Sequence, residues 1–342
     1  MVIKFRFYNL YLYNVIQRKT LARKEKTMKI ALFGTSKFSE LVAEGLKNSN
    51  HEIVAVVTQP DKVNGRNNKV SFNELKLFAI KNNIPCYQFE KLNRDGEQIL
   101  KDLKADCFVT ASYGQIIRQN ILDICPIYNV HASLLPRYRG SAPIQWCLIN
   151  GEKKTGITIM KTELGIDSGE MYLKKELAIE PDDTSDSLFE QLGVLGASAI
   201  VEFLDNIEHY KQIAMPQDEN QMSYFPMLKK EMAQLNFDNE SEKLVNLIRG
   251  LSTCMTAYFL HNNLRYKVIF ASVVSKEKLQ DVNTNFIQVK PGTVIASSGK
   301  KGLIIKTKDG AIEIVKIQPE GKNVMNAKEF CNGGKIKVGD LL

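Results

Sequence analysis

A chain of 342 residues with 44% hydrophobic and 25% charged content has the composition of an ordinary soluble globular protein and the length for two domains. Its net charge of +8 is unevenly placed: +6 over residues 1–27, −4 over 28–209 and +6 over 210–342. No apolar run approaches the ~20 residues that cross a bilayer, and the six scattered cysteines and four histidines form neither a C-x-x-C pair nor a close ligand cluster, which argues against a disulfide framework, a zinc site or metal catalysis.

In chain order, residues 1–27 are aromatic and basic and do not continue into the pattern that follows. They read as a dispensable extension or a misassigned start ahead of Met28 rather than as a targeting segment, which would be richer in Ser and Arg. The expected location is therefore cytoplasmic, organellar if 1–27 is a targeting segment. Lys29 to Phe33 is a buried-strand run. A helix follows from about Phe38 to Lys47 with Thr35 or Ser36 as its cap, and Glu52 to Thr58 is the next strand. This β-α-β opening predicts an α/β fold, a doubly wound, mostly parallel sheet. Gly34-Thr-Ser-Lys-Phe38 lacks the G-x-G-x-x-G spacing of a dinucleotide site. Gln59 to Val70 is a polar loop carrying Lys62, Arg66 and Lys69. Helices are expected at Phe72–Asn82 and Gly96–Leu103, and a strand at Asp106–Ser112.

Tyr128 to Trp146, YNVHASLLPRYRGSAPIQW, carries the chemistry. It starts as a strand in which Asn129 and His131, two residues apart, point to one face at the strand's end. Ser133-Leu134-Leu135-Pro136 and a basic loop follow, and Pro143 suits a first helical position. An amide beside an imidazole suits an oxyanion and proton transfer at an acyl carbon. Asn-x-His alone is more often structural. The missing carboxylate is Asp167, in the glycine-flanked turn ELGIDSG after a strand at Gly156–Met160; taken alone, an Asp in such a turn is more often only a turn former.

Beyond these motifs, residues 181–209 hold a long helical period capped at Thr184 or Ser185 and read as packing helix. Residues 210–230 form a polar linker, and 231–342 open with a helix at Glu240–Gly250. Short apolar segments at 265–272, 292–297, 302–307 and 311–318 then predict a small β-barrel. The excess positive charge there suits an anionic partner such as RNA, though an ordinary solvated surface fits equally well.

NVHASLLPRYRGSAPIQW followed by TGITIMKTELGIDSG resembles the folate-dependent formyltransferases, over about Met28 to near the C-terminus. The resemblance is closest to the branch acting on methionyl-initiator tRNA. It implies a formyltransferase or Rossmann-like domain at 28–209 and an OB-like, tRNA-binding barrel at 231–342. It implies Asn129, His131 and Asp167 as the catalytic trio. Ser133, Leu134, Leu135 and Pro136 would contact the co-substrate 10-formyltetrahydrofolate, and Lys62, Arg66 and Lys69 would close over the acceptor end of the tRNA. Ser112-Tyr113-Gly114 matches a turn near the folate pocket, although Ile117-Arg118 replaces the usual Leu-Pro. Another departure is GLSTCMTAY at 250–258, where relatives carry an aromatic, proline-containing segment; it leaves the inter-domain packing open. A monomer without metal satisfies all of this. Formylation of a small amine such as an amino sugar is the alternative within the family, and the long Arg66 loop and basic C-terminal part weigh against it. A non-catalytic RNA-binding protein on the same fold and a folate hydrolase are further alternatives.

Overall fold

The structure is a computed structural model and describes residues 27–64, 69–282 and 288–342. Apart from Thr27, the extension expected over 1–27 lies outside the described residues, as does Arg66.

The N-terminal part is built on β1 (Lys29–Gly34), β2 (Glu52–Thr58), a hairpin of β3 (Lys62–Asn64) and β4 (Lys69–Ser71), β5 (Cys86–Gln88), β6 (Cys107–Ala111), β7 (Ile127–His131), the two-residue β8 (Arg139–Gly140), β9 (Lys154–Lys161) and β10 (Met171–Ala178). Seven of these make one sheet in the order β10-β9-β7-β6-β1-β2-β5. The β1, β2, β5, β6 and β7 pairings are parallel, whereas β9 and β10 run antiparallel at one edge. Alternation along β1 feeds two layers. Ile30 and Leu32 join the core formed with helices Lys37–Lys47, Glu74–Lys81 and Ser185–Asp205, while Ala31 and Phe33 face Leu92, Leu100 and Ile121 on the other side. A sheet covered on both faces explains why its central strands are mainly apolar, with Thr110 in β6 and Asn129 and His131 in β7 among the polar exceptions.

Two sequence expectations change here. The polar loop at 59–70 includes the β3–β4 hairpin, with Lys62 paired to Ser71 and Lys69 to Asn64. The cap expected from Thr35 or Ser36 is positional only: Ser36 sits at the N-cap but makes no side-chain cap bond, and the Thr35 N–H donates instead to Ser39 Oγ. At the later helix the expectation holds, since Thr184 and Ser187 form a reciprocal capping box. That helix, Ser185–Asp205, has 21 residues and a mean hydropathy of 1.4, so by length and composition it could cross a membrane, unlike any continuous apolar run. Half of it is buried within the fold, against β9, β10 and helix Lys37–Lys47.

Gln212 to Lys230 is not a free linker. After Met215 bridges Met171, the short strand β11 (Tyr224–Phe225) pairs in parallel with β8. The C-terminal part then begins with the helix Ser241–Met255 and continues through β12 (Tyr258–His261), β13 (Leu264–Val273), β14 (Val294–Ser298), β15 (Gly302–Lys306), β16 (Ala311–Pro319) and β17 (Met325–Asn326). These form an antiparallel sheet ordered β12-β13-β16-β15-β14, with β17 on β16, wrapped around its own apolar cluster.

The divergent segment at 250–258 has a defined packing. Helix Ser241–Met255 lies on helix Pro143–Ile149, so closely that a Cβ on Gly250 would stand 2.7 Å from Ile149 Cγ1. Buried Arg249 donates to the Glu180 and Pro181 carbonyls. The helix kinks at Ser252 (φ 35°), whose hydroxyl donates to Asp186 at 2.6 Å.

Candidate active site

Strand β7 ends at the site because its two polar residues leave an apolar run at the sheet's rim. Val130 turns into the core between them. Asn129 and His131 therefore share the opposite face, as the strand period requires. Asp167 comes from the loop joining β9 to β10, which the antiparallel β9–β7 pairing carries back beside β7.

The three side chains meet. Asp167 Oδ1 lies 3.4 Å from Asn129 Nδ2 and 3.6 Å from His131 Nδ1. Its other oxygen, Oδ2, accepts the Gly140 N–H at 2.9 Å. The orientation of each partner follows from a second contact. Thr110 Oγ donates to Asn129 Oδ1 at 3.0 Å, so the Asn129 NH2 faces the carboxylate. His131 Nε2 meets the Tyr138 carbonyl at 3.0 Å. A carbonyl only accepts, so Nε2 carries a proton, and Nδ1 is the ring atom facing Asp167. His131 is 6% exposed, and the Asp167 side chain is 18% exposed. The three groups lie at the rim of the sheet, with His131 buried and the Asp167 side chain partly exposed.

Ser133 to Pro136 forms a pinned turn directly behind His131. Ser133 Oγ donates to the Arg137 carbonyl at 2.9 Å. On β9, buried Thr158 donates to the Ser133 carbonyl at 2.7 Å and accepts from the Leu135 N–H at 3.1 Å. The Leu135–Pro136 bond is cis. Ser133, Leu135 and Pro136 are buried, and Leu135 packs on Met160 and Met171; only Leu134 keeps part of its side chain at the surface. For a bound molecule this segment therefore offers mainly backbone and Leu134. Tyr113, expected near the same pocket, packs edge-on against Phe33. Burial there pushes its phenol pKa well above the ordinary range. Two surface concavities, of about 230 and 470 Å3, lie around Pro126 and Lys161 and include none of the trio.

Of the expected tRNA contacts, Lys62 and Lys69 stand on the two strands leading to the hairpin tip, and Arg66 lies outside the described residues. Four residues to which the sequence reading gave no role support the site: Thr110, Tyr138 and Gly140 contact Asn129, His131 and Asp167 in turn, and Thr158 pins the turn behind His131. Thr110 and Thr158 are polar positions inside apolar strands, a signal visible in the sequence. Gly140 has φ 113°, and a Cβ there would fall 2.2 Å from the Phe225 carbonyl, so only glycine fits between Asp167 and β11.

Comparison with known proteins bears on the chain as a whole. The formyl transferase profile matches residues 28–204, and the profile of the formyl transferase C-terminal domain matches 227–335. The chain is 41% identical to the methionyl-tRNA formyltransferase of Dictyoglomus thermophilum and 39% identical to that of Acetivibrio thermocellus, each alignment covering 92% of this chain and 99% of the relative. Among solved structures, the sugar 3N-formyl transferase WlaRD, crystallised with dTDP and 5-N-formyl-THF, superposes with a TM-score of 0.59 over 87% of this chain and all of its own, at 21% identity. That likeness is one of fold.

Proposed function

The chain belongs to the formyl transferase family, and from that premise we propose that it transfers the formyl group of 10-formyltetrahydrofolate to the free amino group of methionyl-initiator tRNA, the reaction that prepares the initiator for translation. Nearly full-length similarity to methionyl-tRNA formyltransferases supports the substrate pair. The observation that carries the chemistry is the convergence of an amide, an imidazole and a carboxylate on one side of β7.

The α-amine must lose a proton to attack. Asp167, steadied at Oδ2 by Gly140, takes that proton at Oδ1, directly or through a water. As the new C–N bond forms, the formyl oxygen becomes an oxyanion. Asn129 Nδ2–H stabilises it, together with His131 Nδ1 in its protonated form. Collapse breaks the bond to N10 of the folate; the nitrogen of the new amide gives up its second proton, and N10 takes up one proton, passed through Asp167 or a water. Ser133 to Pro136 and the exposed edge of Leu134 hold the folate, and the basic hairpin bearing Lys62, Arg66 and Lys69 meets the acceptor end of the tRNA. Both domains lie on one chain, so a monomer suffices. Six free cysteines suit a reducing compartment, the cytoplasm.

Formylation of an amino sugar is the weaker reading. The sugar-formylating neighbour shares the fold at 21% identity, against 36–41% identity with methionyl-tRNA formyltransferases over almost the whole chain.

The test supplies 10-formyltetrahydrofolate and methionyl-initiator tRNA to wild type, Asn129→Ala and His131→Ala in single-turnover mode. Formylmethionine is the expected product, and each variant should be slower by about 10²–10³. Formate without formylmethionine would make the protein a hydrolase. Variants as fast as wild type would overturn the assignment of the trio.

A further inference from the structure

Asp167 occupies the left-handed region at φ 49°, a conformation that Asp tolerates better than most residues but which still needs outside support. That support comes from the segment joining the two domains. Gln217 Nε2 donates to the Asp167 carbonyl at 2.8 Å and to the Gly169 carbonyl at 2.9 Å, so one amide clamps both ends of the turn. The clamp is itself oriented. Gln217 Oε1 accepts from Arg139 Nε at 2.9 Å, which leaves only the NH2 to face Asp167. Arg139, 6% exposed, places its other two nitrogens on Glu219 at 2.7 and 3.2 Å and holds that carboxyl below its usual pKa range. The next residue, Gly140, donates to the Asp167 carboxylate, and β8 is paired with β11 of the same segment. Both ends of Asp167, backbone carbonyl and carboxylate, are thus held through contacts made by the inter-domain strap.

We propose that Gln217 is a positioning residue for formyl transfer, setting the Asp167 carboxylate in its working geometry through the strap. This rests on the reading of Asp167 as the proton acceptor. Gln217 bonds the backbone carbonyl of Asp167 and not its carboxylate, so its action on the reaction passes through Asp167. A carboxylate displaced by about 1 Å loses up to ~10² in rate without weakening substrate binding.

The test uses the full chain in steady-state assays with both substrates. Gln217→Glu keeps the acceptor for Arg139 but removes the donor to the two carbonyls; Gln217→Leu removes both and guards against an effect of the added charge. For both variants kcat should fall roughly 10- to 100-fold, with KM for tRNA and for the formyl donor within about twofold of wild type and an unchanged thermal midpoint for Gln217→Glu. A wild-type kcat in the two variants overturns the proposal, as does a loss confined to KM for tRNA, which would mark the strap as a tether between domains. Asp167→Asn serves as the reference. If it retains full rate, the assignment of Asp167 fails; if it is inactive while both Gln217 variants keep wild-type kcat, only the positioning role fails.

Discussion

Thr110 shows how much a single hydroxyl can decide at this site. It lies in β6, buried, and its one side-chain bond fixes which end of the Asn129 amide faces Asp167. The two ends of a carboxamide are nearly equal in shape and opposite in function, one accepting and the other donating. Thr110→Val keeps the volume and removes the bond, so Asn129 becomes free to present its oxygen to the oxyanion. A hydrogen bond of this kind is worth about 0.5–1.5 kcal/mol, which converts to roughly a 2- to 13-fold loss in the chemical step. We expect that loss in single-turnover formyl transfer with a thermal midpoint close to wild type, and recovery in Thr110→Ser. A Val variant indistinguishable from wild type would show that Asn129 is held by its other neighbours alone.

At the scale of elements, the strand that carries the site is backed by a helix that approaches it through glycine. A Cβ on Gly196 of helix Ser185–Asp205 would stand 2.8 Å from Val130 Cγ1, and Val130 separates Asn129 from His131. Gly196→Val overpacks this contact. It should lower stability by about 1–3 kcal/mol and also reduce turnover, because the displaced strand residue lies between two members of the trio. Urea unfolding and formylation rate measured on one preparation check both effects; an unchanged unfolding midpoint would mean that the helix yields instead of the strand. Most of these elements were legible in the sequence: β2 and the Thr184 cap follow directly from local pattern. Strand β10 was not, because MYLKKELA is an edge strand in which Lys174 is exposed and Lys175 turns to helix Ser185–Asp205, where it bonds Ser198 and Glu202, so charge stands in place of apolar alternation. The trio was named through the family resemblance, since spacing alone left Asn129, His131 and Asp167 as ordinary structural residues. Its supports were not, since the Arg139–Gln217 and Gln217–Asp167 contacts join residues 78 and 50 positions apart, and no local period signals them.

For the whole molecule, charge and architecture bear on the same partner. The catalytic part between 28 and 209 is net −4, and the part from 210 onward is net +6, an asymmetry that would favour a polyanion on the C-terminal side. The docking of helix Ser241–Met255 on helix Pro143–Ile149, with Arg249 on the Glu180 and Pro181 carbonyls, connects the two sides. On this reading the acceptor stem is held by the basic side and presented to β7. If so, KM for methionyl-tRNA should rise about tenfold or more between 50 and 200 mM salt as phosphate contacts are screened, while kcat at saturating tRNA stays level. Residues 1–27 carry an equal +6, so the same titration on a chain beginning at Met28 separates the two sources. The salt slope should persist in the shortened chain. A slope that disappears with the first 27 residues would shift tRNA capture from the C-terminal part to the extension, and a flat response in both chains would remove electrostatics from recognition.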